Sequence, residues 1–429
     1  MRAAPRLLAA VVLFALPATT SPAAPAWQDP VEIAQGRGEK GPWQQNESRY
    51  DYVDDPAVSA LGDGAAAVAW VAQGSKDVWF TRIAADGNKA APVNVSRSPH
   101  TFSWLPRLLA RGADVYVLWQ EIIFSGGSHG GDMLFARSSD GGATFSAPVN
   151  LSGSIGGDGK GRISKDVWHN GSYDLALAPD GMLYVAWTEY DGPLWLSRSD
   201  DGGKRFSQPR RLLGAAPERP ARAPSLAVGP DGAVYLAWTT GEDPAADIRV
   251  ARSSDRGASF GEPVVAARTP GYSDAPKIAV DAGGTLHLAF AESSGGPFER
   301  YRVRYARSRD AGRTFEPSRD ISGAQAAFPQ LALDARGGVH VVWERMRSAR
   351  VRPHGLGYAA SRDAGETFSK PELIPASGDP AGGGNGSHQG LLMKKLDVAA
   401  DGRIVVANSS LREGRGSRVW LMRGAAQGG

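Results

Sequence analysis

An eight-residue phrase that recurs five times constrains this chain more than any other feature. Its pattern is Ser-x-Asp-x-Gly-x-Thr/Ser-Phe, and the five copies lie 61, 54, 55 and 53 residues apart. The copies begin at Ser138, Ser199, Ser253, Ser308 and Ser361. Only the second departs from the pattern, because Arg205 stands where Thr or Ser is expected. The pattern predicts a tight hairpin turn, in which the aspartate accepts backbone N–H groups, glycine adopts a φ that other residues resist, and the closing Phe packs between neighbouring units.

The phrase belongs to a longer repeat of about 50 residues, a period typical of propellers. Upstream of the copies, two segments of alternating apolar residues flank an Asp-Gly or Gly-Gly turn, as in residues 224–228 and 234–238 around Asp231-Gly232. Downstream there is a Pro-Val run such as Pro148-Val149. Each repeat is therefore predicted to form a blade of four antiparallel strands joined by hairpins.

The number of repeats predicts how the ring closes. The first two strands recur seven times, so we expect an all-β, seven-bladed propeller, with six blades as the alternative. The last repeat stops after its third strand, at residues 418–423, whereas residues 29–33 resemble the fourth strand at 91–95. An N-terminal strand is therefore expected to complete the last blade, which removes two open sheet edges.

The N-terminus has the pattern of an export signal. Arg2 and Arg6 precede an apolar stretch at 7–16 that is too short to span a bilayer, and Ala24-Pro25-Ala26 is a cleavage motif. Residues 1–26 are thus predicted to be a signal peptide and residues 27–429 a single propeller domain, exported to the periplasm or out of the cell. We expect no membrane span in the mature chain.

The charge balance bears on possible partners. Loss of the two signal arginines changes the balance from 48 basic against 45 acidic residues to 46 against 45. A nearly neutral surface argues against nucleic acid or an anionic membrane as a partner. The chain has no cysteine, so no disulfide staples the ring. We expect a monomer.

Blade geometry sorts residues between two faces. The Asp-Gly turns and the repeated turns share one face, called the turn face. The loops between blades, and those joining second and third strands, share the other, called the loop face. Two of the seven histidines, His287 and His340, replace Tyr184 and Tyr235 of other repeats and are predicted to be packing residues. The other five fall on the loop face, which is therefore predicted to carry function: His100, His129, His169, His354 and His388.

The repeated phrase resembles the Asp-box, or BNR repeat, of the sialidase superfamily, whose members are β-propellers. The resemblance covers the scaffold of nearly the whole mature chain and implies a glycan as ligand. In that family three arginines hold the sialate carboxylate, a Tyr activated by a Glu is the nucleophile, and an Asp is the acid/base. The family's Arg-Ile-Pro signature is absent, and Leu105-Pro106-Arg107 is the nearest phrase. Sialidases proper have six blades, so seven is a departure from the family.

Candidate site residues come from the loop face. The candidate catalytic residues are Asp166, His169, Tyr173, Glu189 and Tyr272. The candidate substrate-binding residues are His100, Arg107, Glu121, Arg222 and His388. The first-choice activity is sialidase-type hydrolysis of terminal sugars from a glycan, by an exo-α-sialidase-like exo-glycosidase that needs no cofactor and no metal.

Two alternatives stay open. A polysaccharide lyase needs a base for the C5 proton of a uronate, an acid for the leaving oxygen and a cation for the carboxylate. The residues suited to that chemistry are His169, Tyr173, Arg222 and His388. A non-catalytic propeller would instead bind glycan or protein, with Trp104, Trp168 and Trp195 as stacking surfaces. The loop histidines have the chemistry of zinc ligands, but no spacing motif supports a metal site.

Overall fold

The computed structural model describes residues 25–425 apart from several gaps. The gaps are 43, 45–46, 99–100, 126–127, 153–171, 189–192, 214–220, 241–245, 270, 295–300, 347–352 and 379–392. In this part of the chain the sheets are antiparallel and form a propeller of seven blades. The predicted all-β class and the count of seven blades are confirmed, and the six-blade alternative is excluded. No helix in the described ranges has the length and apolar character needed to cross a membrane.

The strands follow one another in blade order, after four short strands at the N-terminus. These are β1 (Ala26–Trp27), β2 (Val31–Gly36), β3 (Glu39–Lys40) and β4 (Tyr50–Asp51). Blade 1 contains β5 (Val53–Ala60), β6 (Ala66–Ala72), β7 (Asp77–Ile83) and β8 (Val93–Asn94). Blade 2 contains β9 (Phe102–Arg111), β10 (Asp114–Ser125), β11 (Ser128–Ser138) and β12 (Val149–Asn150). Blade 3 contains β13 (Tyr173–Leu177), β14 (Leu183–Thr188), β15 (Leu194–Ser199) and β16 (Arg210–Leu213).

The remaining blades repeat this order. Blade 4 contains β17 (Ala221–Val228), β18 (Val234–Thr240), β19 (Asp247–Ser253) and β20 (Val264–Ala267). Blade 5 contains β21 (Tyr272–Val280), β22 (Leu286–Ser293), β23 (Tyr301–Ser308) and β24 (Arg319–Asp320). Blade 6 contains β25 (Ala326–Leu333), β26 (Val339–Arg345), β27 (Leu356–Ser361) and β28 (Glu372–Leu373). Blade 7 contains β29 (Leu396–Val398), β30 (Arg403–Arg412) and β31 (Gly416–Ala425).

The N-terminal strands close the ring. Strand β2 pairs with β31 and places Val31 opposite Leu421, while β1 extends the same edge with Ala26 opposite Ala425. The inner strands of the first and last blades are also linked, since the N–H of Val58 donates to the carbonyl of Lys394 at 2.9 Å. The predicted closure by an N-terminal strand is therefore confirmed.

The five repeated turns are hydrogen-bonded within themselves. In the first copy the Ser138 hydroxyl donates to Asp140 at 2.6 Å and accepts from the N–H of Gly142 at 2.9 Å. The second oxygen of Asp140 accepts from the Thr144 hydroxyl at 2.6 Å. In the divergent copy the Nε of Arg205 takes over the role of that hydroxyl, at 3.2 Å from its aspartate. The pattern therefore encodes a local hydrogen-bond network, as expected.

Closing aromatic residues of these turns fill the seams between blades. Phe145 lies 5.2 Å from Phe80 of the preceding blade, measured between ring centroids, and Phe368 lies 4.7 Å from Tyr305. Glycine is required inside the turn because it has φ +80° at Gly365, where a Cβ would overlap the Tyr305 hydroxyl. The predicted packing of the closing Phe between units is confirmed.

Packing predictions for the strand Trp and His residues are also confirmed. The five strand tryptophans are buried, none more than 3 % exposed: Trp70, Trp119, Trp187, Trp238 and Trp343. The ring of His287 bridges the Tyr305 hydroxyl at 2.6 Å and Asp281 at 3.2 Å. His340 makes the equivalent bridge in blade 6, from Tyr358 at 2.8 Å to Asp334 at 3.2 Å.

A repeated bulge shapes the inner strands near the loop face. In five blades a residue with φ between 50° and 57° precedes a proline, and the register with the second strand shifts there. The prolines are Pro56, Pro106, Pro224, Pro276 and Pro329. Proline has no N–H to donate, so it suits the unpaired position of a bulge, and the bulge re-aims the side chains around it. The next residue in each strand occupies one ring of equivalent positions: Ala57, Arg107, Ser225, Lys277 and Gln330.

Candidate functional site on the loop face

Half of the ten candidate residues lie in the described part of the chain. These are Tyr173, Tyr272, Arg107, Glu121 and Arg222. The other five lie outside the described residues, and their roles stay predictions: Asp166, His169, Glu189, His100 and His388.

Two of the candidates, Arg222 and Tyr272, meet between blades 4 and 5. The guanidinium of Arg222 donates to the Tyr272 hydroxyl and lies 5.1 Å from the centroid of its ring. Its Nε also lies 3.3 Å from Asp274, which accepts from the Thr239 hydroxyl at 3.1 Å. Tyr272 is 2 % exposed. The side chains of Arg222 and Asp274 keep 20 % and 12 % exposure, so this cluster opens to solvent on its Arg222 side.

The direction of the Arg222–Tyr272 hydrogen bond matters chemically. A guanidinium has only donors, so the Tyr272 oxygen accepts in this contact, and the phenolic proton stays available for another acceptor. Within the described part of the chain, Tyr272 and Asp274 engage two of the five Arg222 donors, and the others can serve a bound anion.

A second group of charges lies at the propeller axis. Arg107 donates from Nε to the carbonyl of Tyr173 at 3.3 Å and lies 3.6 Å from Asp174. Lys277, 7 % exposed, feels the charges of Arg107, Asp174 and Asp274. Because Arg107 belongs to blade 2 and Lys277 to blade 5, nearly opposite in the ring, their interaction places both near the axis. Lys277 thus connects the axial charges with the Arg222 cluster.

Burial sets the protonation of Lys277. Desolvation, with a smaller contribution from the charge of Arg107, lowers the pKa of the ammonium from 10.5 to about 7, against the opposing effects of Asp174 and Asp274. A lysine with a pKa near neutrality is populated in its neutral form at pH 7 and can accept a proton.

Tyr173 is placed differently from Tyr272. Its hydroxyl is buried and donates to the carbonyls of Leu105, at 2.5 Å, and Trp104, at 3.2 Å, while burial raises its pKa far above the usual range. Leu105 is the bulge residue of blade 2, two positions before Arg107. The geometry favours a positioning role for Tyr173, and its predicted catalytic role stays a prediction.

Glu121 is not brought together with the other described candidates. It is buried at the seam of blades 1 and 2, where it accepts from Ser103 at 2.6 Å, from Trp119 at 2.9 Å and from the hydroxyl of Thr101. Burial raises the pKa of this carboxyl, opposed by these hydrogen bonds. These contacts hold the start of β9, and a substrate-binding role for Glu121 stays a prediction.

Asp174 and Lys277 are not among the site residues predicted from the sequence. A signal was nevertheless present, because Lys277 follows the proline of a bulge whose counterparts in blades 1, 4 and 6 are Ala57, Ser225 and Gln330. Among the five residues that follow the bulge prolines, only Arg107 and Lys277 carry a charge, and a charge inside a buried strand indicates function. Between residues 25 and 425, gaps excepted, no three His, Asp or Glu side chains are grouped to hold a metal ion.

Several solved structures have a similar fold. No protein-family model and no curated protein matches the sequence. Among solved structures, an ulvan lyase of family PL25 bound to -[GlcA(1-4)Rha3S]- is similar with a TM-score of 0.54 and 12 % identity, over 86 % of this chain and 94 % of that one. The polysaccharide lyase Uly1 also has a TM-score of 0.54, with 10 % identity over 95 % of this chain and all (100 %) of that one.

A sialidase-type structure is less similar. A leech intramolecular trans-sialidase has a TM-score of 0.44 and 11 % identity, over 87 % of this chain and 68 % of that one. At such identities the likenesses to the two lyases establish the propeller fold alone, and the likeness to the trans-sialidase is too low to support an argument.

Proposed function

We propose that the protein is an exported polysaccharide lyase that cleaves a uronate-containing glycan at the loop face. The observation that carries the proposal is the Tyr272 hydroxyl held by Arg222, with its own proton available, beside Asp274 and near Lys277. The two lyases with TM-scores of 0.54 lend support through the shared fold.

Elimination from a uronate assigns one role to each group. Arg222 has donors left over for the substrate carboxylate, and its charge stabilises the negative charge that develops when the C5 proton leaves. Neutral Lys277 accepts that proton, the electron pair forms the C4–C5 double bond, and the C4–O bond breaks. Tyr272 donates its proton to the leaving oxygen. His169, the base expected from the sequence, is the alternative to Lys277 in this scheme.

Sialidase-type hydrolysis is the second candidate function. The five hydrogen-bonded turns of the sialidase-like pattern favour it at the level of the scaffold. In the sialidase superfamily the nucleophile is a Tyr activated by a Glu, and an Asp is the acid/base. Asp174 and Asp274 are each paired with an arginine, so this function would depend on Asp166 and Glu189.

Product analysis separates the two functions. Residues 27–429 are incubated with uronate polysaccharides and with sialosides, and products are followed by ultraviolet absorbance of the new double bond and by chromatography of free sugar. We expect new absorbance, reduced about 10²–10⁴-fold in Tyr272→Phe, which removes the transferred proton together with the oxygen that accepts from Arg222. Tyr305→Phe is the matched control, because it removes a buried hydroxyl from the same blade on the turn face, and it should retain most of the turnover per folded molecule. Free sialic acid without new absorbance would establish hydrolysis instead.

A further inference from the structure

Four aromatic side chains from two neighbouring blades form a continuous cluster on the loop face. Tyr50 and Tyr52 precede β5, and Phe102 and Trp104 begin β9. Because each pair is two residues apart in extended chain, its members project to the same side. Their ring centroids are 5.6 Å apart in the first pair and 5.4 Å in the second, with 6.3 Å between Tyr50 and Phe102. These four residues are called the aromatic platform.

The turn at residues 73–76, between β6 and β7, supports the platform and adds a charge. The side chain of Gln73 accepts from the Trp104 indole at 3.3 Å and donates to Asp54 at 3.0 Å, which fixes the indole against blade 1. Lys76 places its Nζ 4.9 Å from the centroid of Phe102 and has φ +62°, a conformation uncommon for a residue other than glycine. The Lys76 carbonyl accepts from the N–H of Ser103 at 2.9 Å, which fixes the turn to β9.

The platform is accessible, unlike the packing tryptophans. Tyr50, Tyr52, Trp104 and Lys76 are partly exposed, and Phe102 lies buried beneath them. Polarised C–H groups on the flat face of a pyranose stack on such rings, and a cation at the edge complements a carboxylate or sulfate on the same sugar. Three of the four rings therefore keep exposed area that a ligand can contact.

We propose that the aromatic platform is a distal subsite that binds one anionic sugar of a glycan chain whose other end enters the axial cluster. Tyr50, Tyr52 and Trp104 contact the sugar ring, and Lys76 contacts its acidic group. The identity of the glycan chain rests on the proposed function. The aromatic platform itself is separate from the axial residues. The subsite therefore gives the protein a preference for longer glycan chains and for acidic sugars.

Binding measurements test the subsite apart from catalysis. Uronate disaccharide and hexasaccharide are titrated calorimetrically into Tyr272→Phe, which suppresses turnover, and into the same protein carrying Tyr50→Ala and Tyr52→Ala. We expect the hexasaccharide Kd to rise about tenfold, the effect of losing about 1.4 kcal/mol of stacking, and the disaccharide Kd to stay constant. An unchanged hexasaccharide Kd, or a hexasaccharide that does not bind, would overturn the proposal.

Two further variants sharpen the test. Tyr301→Ala is the matched control: it removes a partly exposed Tyr from blade 5, 6.5 Å from Phe328, and should leave both Kd values within twofold. Lys76→Asn, which tolerates a positive φ, should weaken binding of the uronate hexasaccharide but not of its carboxyl-reduced form. If the double variant does not fold, Tyr52→Ala alone keeps the Tyr50–Phe102 contact and serves in its place. If binding depends on Tyr50 and Tyr52 but the wild type forms no product, the lyase activity is refuted and the subsite is still supported.

Discussion

The turn face and the loop face use the same strands for opposite purposes. On the turn face, each repeated turn satisfies its own polar groups across two to four positions of sequence, as Ser138 does with Asp140 and Gly142. On the loop face, polar groups find partners in other blades, as Arg222 does with Tyr272, 50 positions away, and Arg107 with Tyr173, 66 positions away. The turn face therefore stabilises each unit, whereas the loop face depends on the closed ring.

This difference has an energetic side. The turns bury little charge, because their carboxylates remain at the surface, and glycine relieves their backbone conformation. The loop face buries Lys277 and Arg107, which costs desolvation energy that a purely structural protein would avoid. Substitutions on the loop face should therefore change activity more than stability, and substitutions on the turn face should do the reverse.

The largest expected effect separates activity from stability at Lys277. Lys277→Met should lower the elimination rate about 10²–10⁴-fold, as loss of a proton acceptor does, without lowering the free energy of unfolding. Its folded pKa of about 7 lies below the ordinary 10.5, so the unfolded chain binds the extra proton between these values. The free-energy cost of burying the charged ammonium of Lys277 is thus complete below pH 7 and disappears as the pH rises toward 10.5.

The pH dependence provides the control for this variant. Urea unfolding at pH 6 and pH 10 should show Lys277→Met more stable than the wild type at pH 6 and similar to it at pH 10. Asp174 and Asp274 keep their arginine partners in the variant, so no carboxylate is left buried alone. A variant that is less stable at both pH values would instead identify Lys277 as a structural ion-pair partner and contradict the contrast between the faces.

Predictability from sequence follows the same contrast. The turn network lies within eight residues, so its pattern identifies the turn. The first two strands recur seven times and give the number of blades, and a leftover strand at 29–33 reveals the closure. To predict the site, one must know which residues of different blades share a position around the ring. The bulges shift the pairing register of the inner strands by one residue, which hides this correspondence in the sequence. Arg222 and Tyr272 were therefore identified one by one from their loops, and Lys277, inside a strand, was missed.

The next effect concerns stability alone. Gly365→Ala should lower the free energy of unfolding by about 2–4 kcal/mol, because the Cβ strains a φ of +80° and overlaps the Tyr305 hydroxyl. Gly232→Ala is the matched control, with φ +78° and no atom within 4 Å of the added Cβ, and should cost about 1 kcal/mol. Denaturant unfolding measures both. Turnover per folded molecule should be unchanged, and a loss of turnover in Gly365→Ala would couple the two faces.

The smallest effect is an acid dependence that arises in the turns. Hydrogen bonds from Thr314 and Ser308 lower the pKa of Asp310 to about 2, below the value of about 3.9 in unfolded chains. Its contribution to stability is therefore complete above pH 4 and is lost as the pH falls toward 2. Asp310→Asn cannot lose a charge, so its thermal midpoint should lie slightly below the wild type at pH 7 and approach it at pH 2.5. Asp201→Asn should behave alike, since the pKa of Asp201 is also lowered to about 2.

Parallel curves of thermal midpoint against pH for wild type and variant would mean that the carboxylate charge does not stabilise the turn. The repeated aspartate would then serve through its shape as a hydrogen-bond acceptor, which Asn shares.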